Sequence, residues 1–343
     1  MTRVENMYDN NILQVYKADL PWEKLSGCNI LVTGATGLIG GRLVETLMAY
    51  PNKDYHVYGL GRNEKRAGER FCAFADDTTF HFLQHDVTKP LDGDGIGVDF
   101  HYIIHLASGA SPNVMTSSPV DIMRANFVGT DNLLSYGMSH QIKRFLYVSS
   151  GEIYGEGKGE MFSETDSGYV NSMLSRSCYP SSKRAAETLC ASYMSQYGVN
   201  VVVARPCHIY GASFTESDNR AYAQFIRNVV NGEDIVLKSP GLQYRSWLYV
   251  EDCVSALLYI LLKGECGEAY NVADEDSCLS IRELAETIAE LGGKQVVFAE
   301  PSDSEIKGGS KITRAVFNTN KLRGLGWKPN YAYRSALECV MQK

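Results

Sequence analysis

The sequence contains no apolar run long enough to span a membrane. Its longest run, residues 256–262, falls well short of the roughly 20 residues that a membrane-spanning helix needs. Residues 1–17 include Arg3 and Asp9 and have no apolar core of the kind found in secretory signal peptides. We therefore expect a cytoplasmic protein that has no membrane partner.

Paired cysteines are also absent. The nine cysteines are scattered, their number is odd, and none has the C-x-x-C spacing of zinc sites and redox motifs. A chain of 343 residues can build a core without disulfide cross-links, so we interpret the cysteines as reduced thiols that pack as small apolar residues. No metal site is expected.

Basic residues are not in excess. The sequence has 33 Lys and Arg against 40 Asp and Glu, which gives a net charge of −7. Because it lacks the basic stripe that is typical of nucleic-acid-binding domains, we expect no nucleic-acid partner. A local group of cations could still bind a small diphosphate, so the negative net charge does not exclude an anionic substrate.

Short apolar runs alternate with helical patterns from residue 28 onwards. The runs are continuous rather than alternating, as in parallel strands that are covered by helices on both faces. The predicted strands are 29–33, 56–60, 80–84, 102–106, 144–149 and 200–205, and the predicted helices are 40–49, 119–140 and 181–197. This order predicts a Rossmann-type α/β fold, in which the parallel sheet is doubly wound.

The pattern becomes irregular after residue 205. Helices are predicted at 219–231 and 250–262, and Ser280 with Glu283 fits a capping box that opens a further helix. We divide the chain into an N-terminal extension, a Rossmann domain and a smaller C-terminal α/β substrate-binding cap that can re-enter the main sheet. The three parts are residues 1–27, 28–205 and 206–343. Trp22 and Leu25 could dock the extension on the body of the protein.

A glycine motif follows the first predicted strand and opens a helix. Glycines at this place permit a tight turn, and backbone N–H groups and the helix N-terminus can then bind a pyrophosphate. The candidate dinucleotide-binding residues of this motif are Gly34, Thr36, Gly37, Leu38, Ile39 and Gly40.

The second predicted strand lacks the acid that usually binds the adenosine ribose of NAD. The strand is followed by Arg62, which could pair with the 2′-phosphate of NADP or stack on adenine. NAD is the expected cofactor from the family resemblance described below, and NADP remains possible.

A Y-x-x-x-K motif supplies the candidate chemistry. Tyr179 and Lys183 are four residues apart and so share one face of a helix. The lysine charge can lower the pKa of the tyrosine, whose phenolate then takes a proton from a substrate hydroxyl while hydride leaves to the cofactor. A hydroxyl from another element should complete the site. Ser149 and Ser150, at the end of the fifth predicted strand, are in the expected place, and the resemblance described below implies Ser150.

Several segments resemble known families. The G-x-x-G-x-x-G spacing resembles the short-chain dehydrogenase/reductase superfamily. More specific are the segments VSSGEIYG at 148–155, RSCYPSSKR at 176–184, RPCHIYG at 205–211 and YRSWLYVED at 244–252. They resemble the NAD-dependent nucleotide-sugar epimerase/dehydratase family over residues 29–327. Within it, HLASGASP at 105–112 and GYVN at 168–171 are most similar to UDP-glucuronate decarboxylases.

This resemblance implies a reaction and an assembly. The sugar would be oxidised at C4, lose its carboxylate as carbon dioxide and take the hydride back, so that NAD is regenerated without leaving. The resemblance also implies a homodimer that is built by helices 119–140 and 179–197. Further cofactor contacts that it implies are Asp86, Val87, Leu106, Ala107, Ser108, Asn126 and Pro206.

Glu152 helps to distinguish the reactions that members of this family catalyse. Dehydratases of this family carry an Asp–Glu pair after the catalytic threonine, whereas this chain has Gly151 and Glu152. The missing acid argues against 4,6-dehydration, which needs a proton donor for the leaving hydroxyl. Decarboxylases resemble this chain in keeping only the glutamate, and simple 4-epimerases usually have no acid there. Alternatively, Glu152 is a solvated loop carboxylate.

The candidate substrate contacts are Ser111, Arg176, His208, Arg220 and Arg245. The guanidinium groups of Arg220 and Arg245 suit phosphate oxygens, although each could instead form a surface ion pair. Arg176 could meet a substrate carboxylate. His208 replaces the usual Asn of the family and could bind substrate or pack in the core. Because residues 212–213 also depart from the family pattern, the sugar or nucleotide could differ from UDP-glucuronate.

Other functions remain open beside a UDP-glucuronate decarboxylase-like enzyme. A nucleotide-sugar 4-epimerase, and after it a 4,6-dehydratase, would use the same initial oxidation. Arg62 favours an NADP-dependent sugar-nucleotide reductase. A catalytically silent cofactor-binding sensor would keep only the fold, but the presence of Ser150, Tyr179 and Lys183 argues against it.

Overall fold

The structure is a computed structural model that describes residues 11–12, 14–91, 97–157, 161–214, 218–300 and 312–342. Its strands are β1 (Cys28–Thr33), β2 (Tyr55–Gly61), β3 (Phe80–Gln84), β4 (Tyr102–His105), β5 (Arg144–Val148), β6 (Val201–Pro206), β7 (His208–Tyr210), β8 (Ile235–Leu237), β9 (Tyr244–Tyr249), β10 (Ala269–Val272), β11 (Cys278–Ser280), β12 (Val296–Phe298) and β13 (Arg314–Ala315). Its α-helices include α1 (Leu38–Ala49), α2 (Glu64–Arg70), α3 (Pro112–Ser117), α4 (Pro119–Ser139), α5 (Cys178–Tyr197), α6 (Ala221–Val230), α7 (Val250–Lys263), α8 (Ile281–Leu291), α9 (Asn320–Gly324) and α10 (Tyr333–Met341). Among the described residues, no helix combines the length and the apolar character needed to cross a membrane.

Seven strands form one parallel sheet in the order β10-β6-β5-β4-β1-β2-β3. The chain runs outward from β1 to β3 and then returns to add β4, β5 and β6 on the other side of β1. Doubly wound folds bind ligands at such a switch point, outside the carboxyl ends of the strands. The Rossmann-type fold predicted from the sequence is confirmed.

The six strands predicted before residue 206 are all present, and each end lies within about one residue of its predicted position. β1 and β4 are buried along almost their whole length, because helices cover both faces of the sheet. The seventh strand, β10, comes from the later part of the chain and pairs with β6.

Several helix boundaries differ from the sequence prediction. α5 begins at Cys178 rather than residue 181, because Pro180 lies in the first turn, where its missing N–H breaks no helical hydrogen bond. α6 begins at Ala221 rather than residue 219, because the backbone of Arg220 is extended. The short helices α2 and α3 are not predicted by the sequence pattern.

The later part of the chain forms two small sheets beside the main one. β9 pairs with β7, β11 and β13, and β8 forms a separate parallel pair with β12. The predicted capping box opens α8. The Ser280 hydroxyl accepts a hydrogen bond from the Glu283 N–H at 3.1 Å, and the Glu283 carboxylate accepts one from the Ser280 N–H at 2.7 Å.

The main sheet and the later elements share one hydrophobic core. α7 is buried from Val250 to Leu262 and packs against α1 and the sheet. The segment before β1 docks on the same core, as predicted for Trp22 and Leu25. The indole of Trp22 stacks on the Tyr50 ring at a centroid distance of 4.3 Å, and Leu25 is fully buried.

Candidate active site

A cavity of about 710 Å³ opens at the carboxyl ends of the main-sheet strands. Its lining comes from the glycine loop before α1, the ends of β4, β5 and β6, and elements of the later part of the chain that include β7, β9 and the start of α6. Ser150, Tyr179 and Lys183 all line it. The cavity therefore lies where doubly wound folds bind their ligands.

The glycine loop lets backbone approach the cavity closely. Gly34 has a φ of +66°, and a side chain at Gly40 would place its Cβ 2.4 Å from the Gly34 carbonyl oxygen. Gly37 precedes α1, and no side chain of the described residues caps that helix end. The positive end of a 12-residue helix thus faces the cavity, with no acid in its first turn. This arrangement fits the pyrophosphate of a dinucleotide.

Two serine hydroxyls in the cavity have no hydrogen-bond partner among the described residues. They belong to Ser108, shortly after β4, and Ser149, directly after β5. Because a buried hydroxyl without a partner is unfavourable, both suit polar groups of a bound ligand, such as ribose hydroxyls. Leu106 and Pro206 add apolar surface to the same cavity. The residues present therefore fit a dinucleotide.

Tyr179 is buried at the start of α5, and its phenol is within hydrogen-bonding reach of the Ser150 hydroxyl. Burial and the nearby Glu152 carboxylate raise the pKa of Tyr179 to about 12. The hydrogen bond from Ser150 and the charges of Arg220 and Arg176 oppose that rise. Each of these groups therefore affects how readily the phenol loses its proton.

Lys183 lies one turn after Tyr179 on α5 and is buried. Its Nζ donates to the Val148 carbonyl oxygen at 2.7 Å and lies 4.8 Å from the centre of the Tyr147 ring. Burial lowers the pKa of Lys183 to about 7, and the Glu187 carboxylate acts in the opposite direction. At neutral pH, the amine is therefore close to its titration point.

Glu152 and Arg176 form a two-armed ion pair at the cavity wall. The two terminal nitrogens of Arg176 each donate to one carboxylate oxygen of Glu152, at 3.0 Å. Burial opposes the guanidinium charge, but Glu152 outweighs this effect and the pKa of Arg176 is raised. Glu152 is thus a paired carboxylate facing the cavity and not a freely solvated loop residue.

Gly151 lies between Ser150 and Glu152, and the ring of Phe317 occupies the space beside it. A Cβ at position 151 would lie 2.4 Å from Cζ of Phe317. Phe317 is itself buried, and it packs with the rings of Tyr154 and Phe162. An aspartate at position 151 does not fit this packing.

Arg245 and Arg220 line the cavity with different partners. The guanidinium of Arg245 donates to the backbone carbonyls of Tyr244 and Ile312, each at 2.8 Å, and has no carboxylate within ion-pair distance in the described part of the chain. Arg220 is bound by both oxygens of Asp218. Arg245 is therefore the cation whose charge is less compensated.

His208 and Ser111 also line the cavity. Burial, together with the charges of Arg245 and Arg220, lowers the pKa of His208 to about 3. The imidazole is therefore neutral at physiological pH, and it packs against the Trp247 indole at a centroid distance of 5.3 Å. Ser111 immediately precedes α3.

A model of the NAD dependent epimerase/dehydratase family matches residues 30–273, which is more than half of the chain. The chain belongs to this family. The matched stretch runs from β1 to just beyond β10 and contains the glycine loop, Ser150, Tyr179 and Lys183.

Named relatives in the family are similar over most of the chain. UDP-glucuronic acid decarboxylase 6 of Arabidopsis thaliana is 34% identical over 267 residues, which is 78% of this chain and 75% of the relative. UDP-glucuronic acid decarboxylase 5 of the same plant is 31% identical over 316 residues, or 91% and 88%. Among solved structures, the UDP-glucose 4-epimerase of Thermus thermophilus in complex with NAD is 26% identical, with a TM-score of 0.75 and coverage of 92% and 98%.

Six predicted site residues lie outside the lining of the cavity, within the described part of the chain. They are Thr36, Arg62, Asp86, Val87, Ala107 and Asn126. The Asp86 carboxylate turns back to accept hydrogen bonds from the N–H and hydroxyl of Thr88. Asn126 is fully buried and donates to the Ser182 hydroxyl. The other predicted site residues all line the cavity.

Several lining residues are not predicted by the sequence. Arg66 lies four residues beyond the predicted Arg62, on α2. Its one local signal is Asn63, a residue type common at helix N-caps, whose side chain accepts a hydrogen bond from the Arg66 N–H. No local sequence pattern predicts that Phe162 and Phe317 belong to the site, because only the packing of distant segments brings them there. Phe317 also lies beyond the stretch that the family model matches.

Proposed function

We propose that this protein is an NAD-dependent enzyme that modifies a nucleotide sugar by transient oxidation at C4, and that it decarboxylates UDP-glucuronate. One arrangement carries this assignment: Ser150, Tyr179 and Lys183 share a cavity with the Glu152–Arg176 pair, beside a glycine that leaves no room for a second acid. The family membership and the two decarboxylase relatives support it.

The Ser–Tyr–Lys group supplies the proton transfer. The phenolate of Tyr179 takes the proton of the C4 hydroxyl, with Ser150 as its hydrogen-bonding neighbour. When bound, the dinucleotide accepts and later returns the hydride. The Nζ of Lys183, one turn later on α5, lies 5.9 Å from the centre of the Tyr179 ring, where its charged form would favour the phenolate. Tyr179 can then return the proton to the C4 oxygen.

The same residues suffice for loss of carbon dioxide. A ketone at C4 makes the C6 carboxylate the acid group of a β-keto acid, whose C5–C6 bond breaks as its electron pair moves toward the C4 oxygen. The enolate that remains takes a proton from water at C5, which restores the C4 ketone before the hydride returns. The hydroxyl groups of Ser150 and Tyr179 can stabilise negative charge on that oxygen. No leaving hydroxyl has to be protonated, so a glycine at position 151 is compatible with this reaction.

Arg176 gives the cavity a means of holding a substrate carboxylate. Glu152 would repel a glucuronate carboxylate that approaches it alone. Each terminal nitrogen of Arg176 uses one N–H on Glu152, and its other N–H can donate to a second carboxylate, which lessens the repulsion from Glu152. A neutral hexose gains nothing from this cation, which favours a uronic acid as substrate.

The cavity has a positive lining within a negatively charged protein. Its charged residues are Arg66, Arg176, Lys183, Arg220 and Arg245 against Glu152 and Asp218. An excess of cations suits the diphosphates of a dinucleotide and of a nucleotide sugar. Arg245 lacks a carboxylate partner among the described residues and is our candidate for the substrate diphosphate.

A second copy of the chain is the partner that we propose. Val120, Met123 and Phe127 are exposed on α4 at helical spacing, and α4 packs along α5. Exposed apolar side chains on one helix face suit a helix–helix interface across a twofold axis. We therefore propose a homodimer built by α4 and α5.

We also propose a cytoplasmic location. All nine cysteines lie within the described residues and are free thiols, which a reducing compartment would preserve. Cys207 lines the cavity, and burial raises the pKa of its thiol well above the ordinary value, so that it is unreactive at neutral pH.

Incubation of the purified protein with a panel of UDP-, dTDP-, CDP- and GDP-sugars tests the assignment, with products read by mass spectrometry. Loss of carbon dioxide from UDP-glucuronate is the expected result. An unchanged mass with a new retention time would make the protein an epimerase, and loss of water would make it a dehydratase. Either outcome would overturn the proposed reaction but keep the proposed C4 oxidation.

A further inference from the structure

The end of β2 carries cations where a carboxylate would be expected. The strand ends at Gly61, Arg62 and Asn63 follow, and the nearest acid along the chain, Glu64, begins α2 and is exposed. In dinucleotide-binding folds, an acid near this strand end accepts a hydrogen bond from the adenosine 2′-hydroxyl, whereas an arginine there accommodates a 2′-phosphate. This strand end therefore has the arginine that accommodates a 2′-phosphate and lacks the acid.

Neighbouring polar groups at this end of the site are already engaged. The Asn63 side chain accepts a hydrogen bond from the Arg66 N–H at 2.9 Å, which starts α2. The Asp86 carboxylate, after β3, accepts hydrogen bonds from the N–H and hydroxyl of Thr88 at 3.0 and 2.9 Å. Neither side chain lines the cavity, and Asp86 also lies close enough to Arg62 to feel its charge.

Arg66 brings an uncompensated positive charge into the cavity. It lines the cavity together with the glycine loop, and its guanidinium has no carboxylate partner among the described residues. Burial and the neighbouring Arg70 both lower its pKa, as expected for a cation without a counter-charge. The Arg70 guanidinium already has partners within the protein, because it donates to the Glu45 carboxylate at 2.8 Å and to the Gly37 carbonyl at 2.9 Å.

We infer that Arg66 binds the 2′-phosphate of a phosphorylated dinucleotide, so that the protein takes up NADP(H) no less tightly than NAD(H). Arg62, which is exposed and outside the cavity lining, adds positive charge at the same strand end. The inference rests on the dinucleotide site proposed above. A guanidinium fork matches two phosphate oxygens, and a dianionic phosphate compensates the charge of Arg66. The carboxylates near this strand end, Glu64 and Asp86, do not line the cavity, so neither directly faces the added phosphate.

Fluorescence titration tests the inference on protein freed of copurified dinucleotide, with NADH and NADPH titrated separately into the wild type, Arg66→Ala and Lys65→Ala. Lys65→Ala is the matched control, because it removes a positive charge from the same helix at a side chain that is 88% exposed. We expect the wild type to bind NADPH at least as tightly as NADH. Arg66→Ala should weaken NADPH binding roughly tenfold and change NADH binding by less than about threefold. Lys65→Ala should affect neither.

Two results would overturn the inference: wild-type protein that binds NADH more than about tenfold tighter than NADPH, or equal weakening of both dinucleotides by Arg66→Ala. Either result leaves the proposed sugar-nucleotide chemistry intact, because that chemistry needs only a bound nicotinamide. Binding of neither dinucleotide would instead refute the site on which both proposals depend. Raising the salt concentration should weaken NADPH binding more than NADH binding in the wild type.

Discussion

The guanidinium of Arg176 donates to both carboxylate oxygens of Glu152 at 3.0 Å. The pair joins the turn that follows Ser150 to the turn that precedes α5, and so connects two of the elements that form the site. Because the Arg176 side chain is 50% exposed and that of Glu152 33% exposed, the pair adds little to folding stability. Its position at the cavity wall is better explained by a role toward the substrate.

Replacing Arg176 with alanine should selectively impair use of a carboxylate-bearing sugar. We expect kcat/KM for UDP-glucuronate to fall roughly 10- to 100-fold, because a charge-assisted contact with the substrate is lost. The thermal midpoint should change little. Arg282→Ala is the control, since it removes another exposed ion pair, with Glu286, away from the cavity. Equal kinetics for Arg176→Ala and wild type would exclude contact with the substrate carboxylate.

Lys183 should make the stability of the ligand-free protein depend on pH. Its pKa is lowered by burial from 10.5 to about 7, so between these values the unfolded chain binds more protons than the folded one. Stability should therefore increase with pH across this window, by up to roughly 2 kcal/mol between pH 7 and 9. Urea unfolding at the two pH values measures this change.

The contribution of Lys183 is isolated by Lys183→Met, which keeps the length of the side chain but cannot titrate. The variant should show a smaller gain in unfolding free energy between pH 7 and 9 than the wild type. An equal gain in both proteins would mean that the amine is not strongly desolvated.

Phe317 should determine whether position 151 tolerates a side chain. Gly151→Ala places a methyl group against the Phe317 ring and should cost about 1–3 kcal/mol of unfolding free energy. In a Phe317→Ala background the same change should cost much less, which a double-mutant cycle would show as coupling. Gly68→Ala is the control, because a Cβ there meets nothing within 4 Å. Additive effects of the two substitutions would contradict the steric account.

Phe127→Glu should weaken the proposed homodimer. The residue is exposed on α4 near Met123, and a carboxylate there would be buried unpaired in a helix–helix interface. Sedimentation at micromolar concentration should show a dimer for the wild type and a monomer for the variant. Val236→Glu, at an exposed apolar residue of β8, is the control and should remain dimeric. A wild-type monomer would refute the proposal.

Local sequence patterns predict the main sheet because its strands are continuous apolar runs that both faces bury. They do not predict α2, whose segment is mostly charged and contains Gly68. The sequence also predicts that Ser150, Tyr179 and Lys183 belong to one site. In the structure all three line one cavity. The packing of Phe317 beside Gly151 could not be predicted, because the two residues are far apart in the chain and neither has a distinctive pattern.

The most direct test of the central claim uses UDP-glucuronate that carries deuterium at C4. Purified protein with its bound cofactor should convert it to a product that has lost carbon dioxide and still carries the deuterium, because the hydride that leaves C4 returns to the same sugar. Mass spectrometry reads both changes in one spectrum. A product of unchanged mass, or one that has lost water, would contradict decarboxylation, and a decarboxylated product without deuterium would contradict return of the same hydride.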